Sequence, residues 1–448
     1  MTAIFQRCFL LIIILWSGSA VAACGAPLPD FVRPALPSPA AAFVAEGDRQ
    51  LAEGRTAEAV LAYRQAVTRD DQHVPALRKL GQIYATEGRT RLAQQYLRKA
   101  AALRPGDDEI GIALQALVST KATGGPLEQV WLALVNAGRP EGMAAGDGAL
   151  VVALEEGRVL LLDAATGKSR WEVKLPARAA SAPGLGAGLV FIGGEDGALY
   201  ALAVADGRLL WRHPTAAPIY AAPLVAAGMV YAPSGDGSFT ALAADDGAQR
   251  WRIEAIAPLT GRPAIAGDML YFGAADGRIF GVDAATGHEM WGSGIAAQGA
   301  VESEPAIAAG RVFIGAGDSR VYAFDAATGG EYWRYSTPDA VYARPLVISD
   351  TVYVASAGNT LSALDVLTGE SRWEITAGSA LRHAPIVIGD VLYYIAAADP
   401  NLYAATAATG EPLWQFDTGD WLAGGPVVHD GLLYLLGQDG AVMAFRPR

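Results

Sequence analysis

Residues 262–291 have the sequence RPAIAGDMLYFGAADGRIFGVDAATGHEMW, which contains one complete copy of the unit that repeats along the chain. Three short apolar runs, PAIA, MLYFGA and RIFGVD, are separated by the turn pairs Gly-Asp and Asp-Gly. Apolar runs of this length between turn residues are typical of antiparallel β-strands. The AATG segment predicts a further turn with Gly287 in a left-handed conformation, and HEMW predicts the start of a fourth, outer strand. The unit therefore predicts a four-stranded antiparallel sheet.

The DAATG motif of this unit recurs along the C-terminal two-thirds of the chain. Further copies, some of them weaker, occupy residues 163–167, 203–207, 243–247, 325–329, 365–369 and 406–410. In every copy a Trp follows the last Gly by four residues. An Asp at the start of such a turn can accept hydrogen bonds from its backbone NH groups. We therefore interpret these acidic residues as structural and not as a metal cluster: Asp163, Asp283, Asp325 and Asp365.

Eight tryptophans after residue 126 follow one another at intervals of 40 to 42 residues: Trp131, Trp171, Trp211, Trp251, Trp291, Trp333, Trp373 and Trp414. A period near 40, with several short strands in each unit, is the sequence signature of a β-propeller. We expect each Trp to dock between neighbouring sheets. The sequence thus predicts a mainly β fold, an eight-bladed β-propeller over residues 127–448.

The AxDxxTGxxxW pattern resembles the tryptophan-docking motif of the PQQ-like, quinoprotein-type eight-bladed propellers, and the resemblance covers residues 127–448. The last unit, at 425–448, contains only three predicted strands. We expect LEQVWLALV at 127–135 to supply the fourth, so that both ends of the ring meet in one blade without an open edge.

Residues 40–121 have a helical pattern that resembles a pair of tetratricopeptide (TPR) repeats. The packing positions of the second repeat are Leu77, Leu80, Gly81, Tyr84, Gly88, Ala93, Leu97, Ala100 and Pro105, and part of the set recurs 34 residues earlier. Two repeats are few for an independent solenoid, so we expect them to dock on the seam of the propeller or on a partner. Asp48, Arg78 and Gln82 are candidates for the TPR groove, or alternatively belong to a solvated polar face.

The N-terminus predicts export and membrane attachment. Residues 1–23 combine Arg7, a nine-residue apolar run at 8–16 and a series of small residues, as in a signal peptide. VAAC, ending at Cys24, resembles the lipobox of bacterial lipoproteins, which implies lipidation of Cys24; ordinary cleavage that leaves a free thiol is the alternative. Residues 24–39 form a Pro-rich linker. We expect an exported protein, lipid-anchored at the extracytoplasmic face of the cell membrane or outer membrane.

Composition excludes two further classes of protein. Residues 127–448 contain 20 Lys and Arg against 35 Asp and Glu, a net charge of −15, so binding to a nucleic-acid backbone is not expected. The cysteines are Cys8 and Cys24, so the mature chain cannot form an internal disulfide.

Charged residues cluster just before the predicted innermost strands, which begin near the repeated prolines of the blades. Strand alternation places the first and third residues before each Pro on one face, toward the channel. The charged members of this set are Arg262, Glu302, Glu304, Arg344 and Arg382. They predict either a polar ligand site at the channel mouth or a ring of ion pairs that neutralises itself. Trp421 breaks the Trp period and is either an exposed aromatic at this mouth or a packing residue.

The resemblance to quinoprotein dehydrogenases implies a calcium site of Glu, Asn and Asp, a catalytic Asp and adjacent cysteines, and these are not found in the sequence. The propeller contains no Cys, Asn359 and Asn401 fall at turns, and its histidines occur singly. We therefore expect no catalytic residues, no cofactor and no metal.

Together, these features resemble the BamB-like lipoproteins of bacterial outer-membrane protein assembly. This implies a monomeric, membrane-tethered scaffold that binds envelope proteins. Two alternatives are a PQQ-dependent oxidoreductase or small-ligand sensor using the channel, and a polysaccharide-binding surface protein.

Overall fold

The computed structural model describes residues 38–87, 89–104, 107–119, 125–135, 138–292 and 296–448. The signal peptide predicted at 1–23, the lipidation site predicted at Cys24 and nearly all of the Pro-rich linker lie outside these residues.

In the described part of the chain, five helices precede the propeller: α1 Pro39–Ala52, α2 Thr56–Arg69, α3 Val74–Thr86, α4 Thr90–Leu103 and α5 Asp108–Ser119. Helices α1 and α2 form one hairpin, and α3 and α4 form the next. In each hairpin a glycine lets the helices approach closely: a Cβ at Gly47 would lie 2.6 Å from the Tyr63 ring, and a Cβ at Gly81 would lie 2.4 Å from Leu97. These contacts place Gly81 and Leu97 of the predicted TPR set at the helix–helix interface, whereas Gly88 and Pro105 lie outside the described residues.

The first four blades contain strands β2 to β16, numbered along the chain. Blade 1 contains β2 Pro140–Gly146, β3 Ala149–Leu154, β4 Arg158–Asp163 and β5 Ser169–Lys174. Blade 2 contains β6 Gly184–Gly186, β7 Leu189–Gly193, β8 Ala198–Ala203 and β9 Leu209–Pro214. Blade 3 contains β10 Leu224–Ala226, β11 Met229–Pro233, β12 Ser238–Ala243 and β13 Gln249–Glu254. Blade 4 contains β14 Ala264–Ala266, β15 Met269–Gly273 and β16 Ile279–Asp283.

The remaining blades complete the predicted eight-bladed ring. Blade 5 contains β17 Ala306–Ala308, β18 Arg311–Ala316, β19 Arg320–Asp325 and β20 Glu331–Ser336. Blade 6 contains β21 Leu346–Ile348, β22 Thr351–Ala355, β23 Thr360–Asp365 and β24 Ser371–Thr376. Blade 7 contains β25 Ile386–Ile388, β26 Val391–Ile395, β27 Asn401–Thr406 and β28 Pro412–Asp417. Blade 8 contains β29 Val427–His429, β30 Leu432–Leu436, β31 Ala441–Pro447 and, as its outer strand, β1 Leu127–Leu134.

Closure of the ring follows the prediction. Strand β1 pairs antiparallel with β31 from Leu127 opposite Pro447 to Leu134 opposite Ala441. The last blade therefore unites both ends of the propeller sequence, and among the described residues each strand at the seam is paired.

Blade 4 departs from the prediction of a fourth strand beginning at HEMW. Its described residues form three strands, and Glu289 makes only an isolated bridge to Val282. Gly281 replaces a larger residue of the other blades, and the Trp291 indole lies directly against it, 2.6 Å from the point that a Cβ would occupy. The Trp is thereby kept in place although the outer strand is irregular.

The core lies in the interfaces between blades and beneath the helices. Aromatic rings stack from blade 3 to blade 4, with the Phe239 and Phe272 centroids 4.2 Å apart. Leu132 and Leu134 of β1 pack against the helical core. Residues Pro39–Arg448 accordingly form one compact unit, in which the helices lie on the seam blade.

Candidate functional site

The repeated tryptophans form a structural ring in which each blade is attached to the next. The Trp131 Nε1–H donates to Ala164 O at 3.1 Å, and the same contact, 33 residues along the chain, joins Trp171 to Val204 and Trp211 to Ala244. In each case the indole also lies over the Gly of the next blade's turn, such as Gly167. The structure thus places these tryptophans between blades. Trp251, Trp333 and Trp373 lie over Gly287, Gly369 and Gly410 in the same way. Trp291 donates to Ala326 O at 3.0 Å but lies against Gly281 of its own blade, and Trp414 has no DAATG turn to meet.

At the seam, Gly125 takes the place of the turn glycine. The eighth blade ends without a DAATG turn, and Trp414 of blade 7 lies instead against Gly125, just before β1. A Cβ at Gly125 would be 2.3 Å from the indole. Because Gly125 is far from Trp414 in sequence and belongs to no motif copy, its role could not be inferred from the repeat.

The charged cluster predicted from the sequence lies at one end of the channel. The crossovers between blades hydrogen-bond to the turns between second and third strands, as Ala180 N does to Gly193 O at 2.8 Å. We call this side of the ring the mouth face, and the side with the DAATG turns the turn face. Contacts between β2 and β6, β6 and β10, and β14 and β17 show that the innermost strands surround the channel.

Three of the five predicted mouth residues are in contact with one another. Glu304 Oε2 lies 3.6 Å from Arg262 Nη1, and Glu304 Oε1 lies 3.5 Å from Arg344 Nη1. The Glu304 side chain is 21% exposed, whereas those of Arg262 and Arg344 are 41% and 50% exposed. One carboxylate of blade 5 is therefore shared between arginines of blades 4 and 6, and both arginines also face solvent.

The other two predicted residues, Arg382 and Glu302, are exposed nearby. The Arg382 guanidinium lies 5.3 Å from the Tyr342 ring centroid, a cation–π contact between blades 7 and 6. Burial, assisted by the Arg382 charge, lowers the pKa of the neighbouring His383, so this imidazole is neutral at pH 7. His383 therefore adds no positive charge to the mouth.

The candidate TPR groove residues are engaged within the chain. Asp48 accepts a hydrogen bond from Tyr63 Oη at 2.7 Å and pairs with Lys79 Nζ at 3.3 Å. Arg78 pairs with Glu109 of α5. Gln82 is half-buried on the same helix. The two ion pairs link alternate helices, α1 to α3 and α3 to α5, so Asp48 and Arg78 both make contacts within the repeats.

A second polar junction, at Arg98, was not predicted from the sequence. The Arg98 side chain is 4% exposed, pairs with Asp439 Oδ2 at 3.0 Å and donates to Thr418 O at 2.5 Å. This joins α4 to the crossover and to the turn of blade 8 on the mouth face. Trp421 follows the same crossover and is half exposed, close to this junction in sequence.

The residues of the propeller do not fit the calcium and quinone site that the PQQ-like resemblance implies. Among the described residues, no three His, Cys, Asp or Glu side chains are arranged to hold a metal ion. Asn359 occupies a turn with a φ of 64°, and Asn401 donates to Asp399 at 2.7 Å. The central carboxylate of the mouth, Glu304, lies between two arginines, a set of charges that disfavours a divalent cation.

Comparison with protein families identifies the propeller. A model described as "Outer membrane protein assembly factor BamB" matches residues 117–213, 183–318, 297–393 and 378–448. The chain belongs to this family. A tetratricopeptide repeat model also matches residues 75–107, within α3 and α4. A comparison with curated protein sequences gives no match.

Solved structures similar to this BamB-family chain share its propeller fold. BamB from Moraxella catarrhalis has 20% identity and a TM-score of 0.64, with 72% of this chain and 98% of that chain covered. The computationally designed Ika8 protein has 17% identity and a TM-score of 0.64, with coverages of 71% and 99%. The quinohemoprotein alcohol dehydrogenase from Comamonas testosteroni has 15% identity and a TM-score of 0.59, with coverages of 71% and 76%. At these identities the likeness concerns the fold alone.

None of the helices in the described part of this BamB-family chain has both the length and the apolar character needed to cross a bilayer.

Proposed function

We propose that this protein is a non-catalytic scaffold of the bacterial cell envelope that binds other proteins during outer-membrane protein assembly. The observation that carries the proposal is the match of the BamB family model to four overlapping segments that together span residues 117–448. The likeness to the Moraxella catarrhalis BamB structure, which covers 98% of that chain, is consistent with it.

The construction of the chain supports a docking role. The ring is closed by pairing of β1 with β31, and the helical repeats are fixed to it through the buried Arg98. A partner would therefore meet helices and propeller as one rigid surface. Such preorganisation lowers the entropic cost of binding.

Membrane attachment is the second part of the proposal. Cys24 is the proposed lipidation site, and the sequence of residues 25–39, which contains five prolines, is typical of a stiff spacer. Replacing Cys24 with Ser should move the protein from the membrane fraction to the soluble fraction. Mass spectrometry of the mature N-terminus should then show loss of the acyl modification.

The absence of catalysis is also proposed. The residues do not fit a calcium and quinone site, and the histidines of the propeller lie far apart in the sequence. A quinone-dependent oxidoreductase would show increased thermal stability with added quinone and calcium, whereas a scaffold would show no change.

Site-specific photo-crosslinking in cells tests the scaffold function directly. We would place a photoreactive amino acid at three exposed apolar positions: Ile112 on α5, Ile256 on the mouth-face crossover before blade 4, and Leu367 on the turn face. The side chains of Ile112 and Leu367 are 67% and 61% exposed, so they form a matched pair.

We expect crosslinks to a component of outer-membrane assembly at Ile112 or Ile256 and none at Leu367, because the helices are fixed on the mouth face. The adduct should be identified by mass spectrometry and its partner should co-purify with the unmodified chain. Failure to obtain a specific envelope-protein adduct at any of the three positions would contradict the proposal.

A further inference from the structure

We propose that Arg262, Arg344 and Arg382 form a binding site for a carboxylate-bearing ligand at the channel mouth. The proposal goes beyond the scaffold function proposed above, because it depends on the charges of the mouth and not on the match to the family model.

Incomplete pairing of the arginines is the first observation. Two guanidinium groups share the single carboxylate of Glu304 at 3.6 and 3.5 Å, longer than the ~2.7–2.9 Å of a charge-assisted hydrogen bond. Each guanidinium carries five N–H donors, and one carboxylate cannot satisfy both groups. Within the described part of the chain, the Nε atom of Arg262 and the Oγ1 atom of Thr260, two residues earlier, are also buried without a hydrogen-bond partner. A second carboxylate would supply further acceptors for the two guanidinium groups, whose side chains are 41% and 50% exposed.

The local charge is the second observation. The five charged residues predicted at the mouth are three arginines and two glutamates, Glu302 and Glu304, with a net charge of +1, whereas residues 127–448 as a whole have a net charge of −15. The mouth is therefore a positive area on an acidic ring, and such an area attracts anions over other solutes. The neutral state of His383 leaves the arginines as the cations of the site.

Space at the mouth is the third observation. The charged residues come from blades 4 to 7, whereas the corresponding positions of blades 2, 3 and 8 include the small residues Ala180, Ala182, Ala222, Ala423 and Gly425. One half of the mouth is thus lined by long charged side chains, and the other half by small ones together with Tyr220, which is 53% exposed. The Tyr342 ring beneath Arg382 restricts the movement of that guanidinium.

The chemistry of the donors selects the ligand class. Arginine guanidinium groups bind planar carboxylates through two parallel N–H donors, and Glu304 shows that a carboxylate is accommodated between Arg262 and Arg344. The carboxylate could come from a small dicarboxylate or from an acidic side chain or C-terminus of a peptide, which share this chemistry.

Isothermal titration calorimetry on the full mature chain, at fixed ionic strength, tests the site. One arm uses succinate, and the other uses a short peptide containing Asp and Glu, with its amidated Asn and Gln counterpart as a blank. We expect saturable binding of succinate, of the acidic peptide, or of both, and the arm that binds identifies the source of the carboxylate.

Variants separate binding from structure. Arg344→Gln and Arg262→Gln should each weaken binding about tenfold, equivalent to about 1.4 kcal/mol. Glu304→Gln should strengthen binding, since it removes the internal competitor for both guanidinium groups. Arg170→Gln is the matched control, because Arg170 is 43% exposed and pairs with one carboxylate, Asp163, on the turn face. The Arg170→Gln variant should bind succinate or the acidic peptide with the same affinity as the wild type.

Circular dichroism confirms that each variant is folded before titration. Two results would overturn the proposal: no saturable heat with either carboxylate probe, or equal affinities of the wild type and the folded Arg262→Gln and Arg344→Gln variants. If the charged residues instead form a self-neutralising ring of ion pairs, Glu304→Gln should lose stability without any gain in affinity. Arg344→Lys keeps the charge and should retain part of the binding.

Discussion

Arg98 of α4 and Asp439 of the β30–β31 turn form an ion pair of 3.0 Å that joins the helical repeats to the last blade of the ring. The Arg98 side chain is almost completely buried and also donates to the Thr418 carbonyl, so a single residue holds two loops of the mouth face. This contact makes the helices and the propeller one structural unit.

Removal of Arg98 should therefore destabilise the whole protein. Arg98→Ala leaves Asp439 without its partner, and we expect a loss of about 2–3 kcal/mol in the free energy of unfolding. This is less than the ~3–5 kcal/mol typical of a fully buried pair, because Asp439 keeps some access to water. Urea denaturation, followed by circular dichroism, measures the change.

Lys99 supplies the control for this prediction. It is adjacent to Arg98 but exposed, and it pairs with Asp71 at 3.0 Å. Lys99→Ala should cost less than about 1 kcal/mol, as is usual for surface pairs. Equal effects of the two substitutions would show that Arg98 is not the link between helices and ring.

Gly125 should be intolerant of a side chain because Trp414 lies against it. A Cβ at this position would be 2.3 Å from the indole, so Gly125→Ala must shift the Trp or the start of β1. Overpacking of this kind costs about 1–3 kcal/mol, and here it also strains the seam. Thermal denaturation should show a lower Tm.

Gly111 on α5 is the matched control, since a Cβ there meets no atom within 4 Å. Gly111→Ala should stabilise the protein by about 0.5–1 kcal/mol, because alanine is the better helix former. A neutral Gly125→Ala variant would contradict the role of Gly125 in closure.

Truncation of a docking Trp should cost far more than truncation of the exposed Trp421. Trp131 is buried, donates to Ala164 and packs near Tyr434, which donates to the same carbonyl at 3.1 Å. Trp131→Ala should lower the free energy of unfolding by about 3–5 kcal/mol. Trp421→Ala should cost about 1 kcal/mol or less, since this side chain is half exposed. Guanidinium denaturation of the two variants compares them, and similar midpoints would refute the prediction.

The sequence predicted the propeller because its repeated residues make the same contact in each blade. A Trp must meet the turn of the next blade, and this requirement produces a regular spacing of about 40 residues that can be counted without a structure. Closure was predictable for a similar reason, since the last unit lacked a strand and the segment before the first unit offered one.

Other features depend on three-dimensional relations that the repeat does not encode. The spacing of 42 residues from Trp291 to Trp333 is the longest of the series, but it did not show that the outer strand of blade 4 would be interrupted. Arg98 and Gly125 act through contacts with residues more than 280 positions away. Likewise, the sequence could not show the ion pairs of Asp48 with Lys79 and of Arg78 with Glu109, because these depend on how the helices stack. Asp48 and Arg78 therefore remained candidates for a groove.

Asp420 should make the stability of the seam depend on pH. Burial raises the pKa of this carboxyl above its ordinary value of 3.8, and repulsion by Asp439 adds to the effect, while Arg98 opposes it. A carboxyl with a raised pKa in the folded state favours folding below pH 3.8, and this contribution is lost as the pH rises through the folded-state pKa. Asp420→Asn removes the ionisable group and with it the loss of stability at higher pH. The Asn side-chain oxygen can still accept the hydrogen bond that Asp439 N donates to Asp420 Oδ2 at 2.9 Å. The variant should therefore have a higher Tm than the wild type at neutral pH, and the difference should shrink on acidification.

Asp365 provides a control of opposite sign. Hydrogen bonds from Arg372 and from the backbone N–H groups of Thr368 and Leu367 lower its pKa to about 2. Its contribution to stability is present above 3.8 and is lost as the pH falls toward about 2, so Asp365→Asn should be less stable than the wild type at neutral pH and approach it in acid. Differential scanning calorimetry from about pH 2 to about pH 8 covers the window in which each of the two carboxyl groups titrates. Parallel curves of Tm against pH for Asp420→Asn and the wild type would show that Asp420 does not titrate with folding. If the Tm difference from the wild type instead has opposite signs for the two variants at neutral pH, burial destabilises the Asp420 carboxylate and the donors around Asp365 stabilise the other.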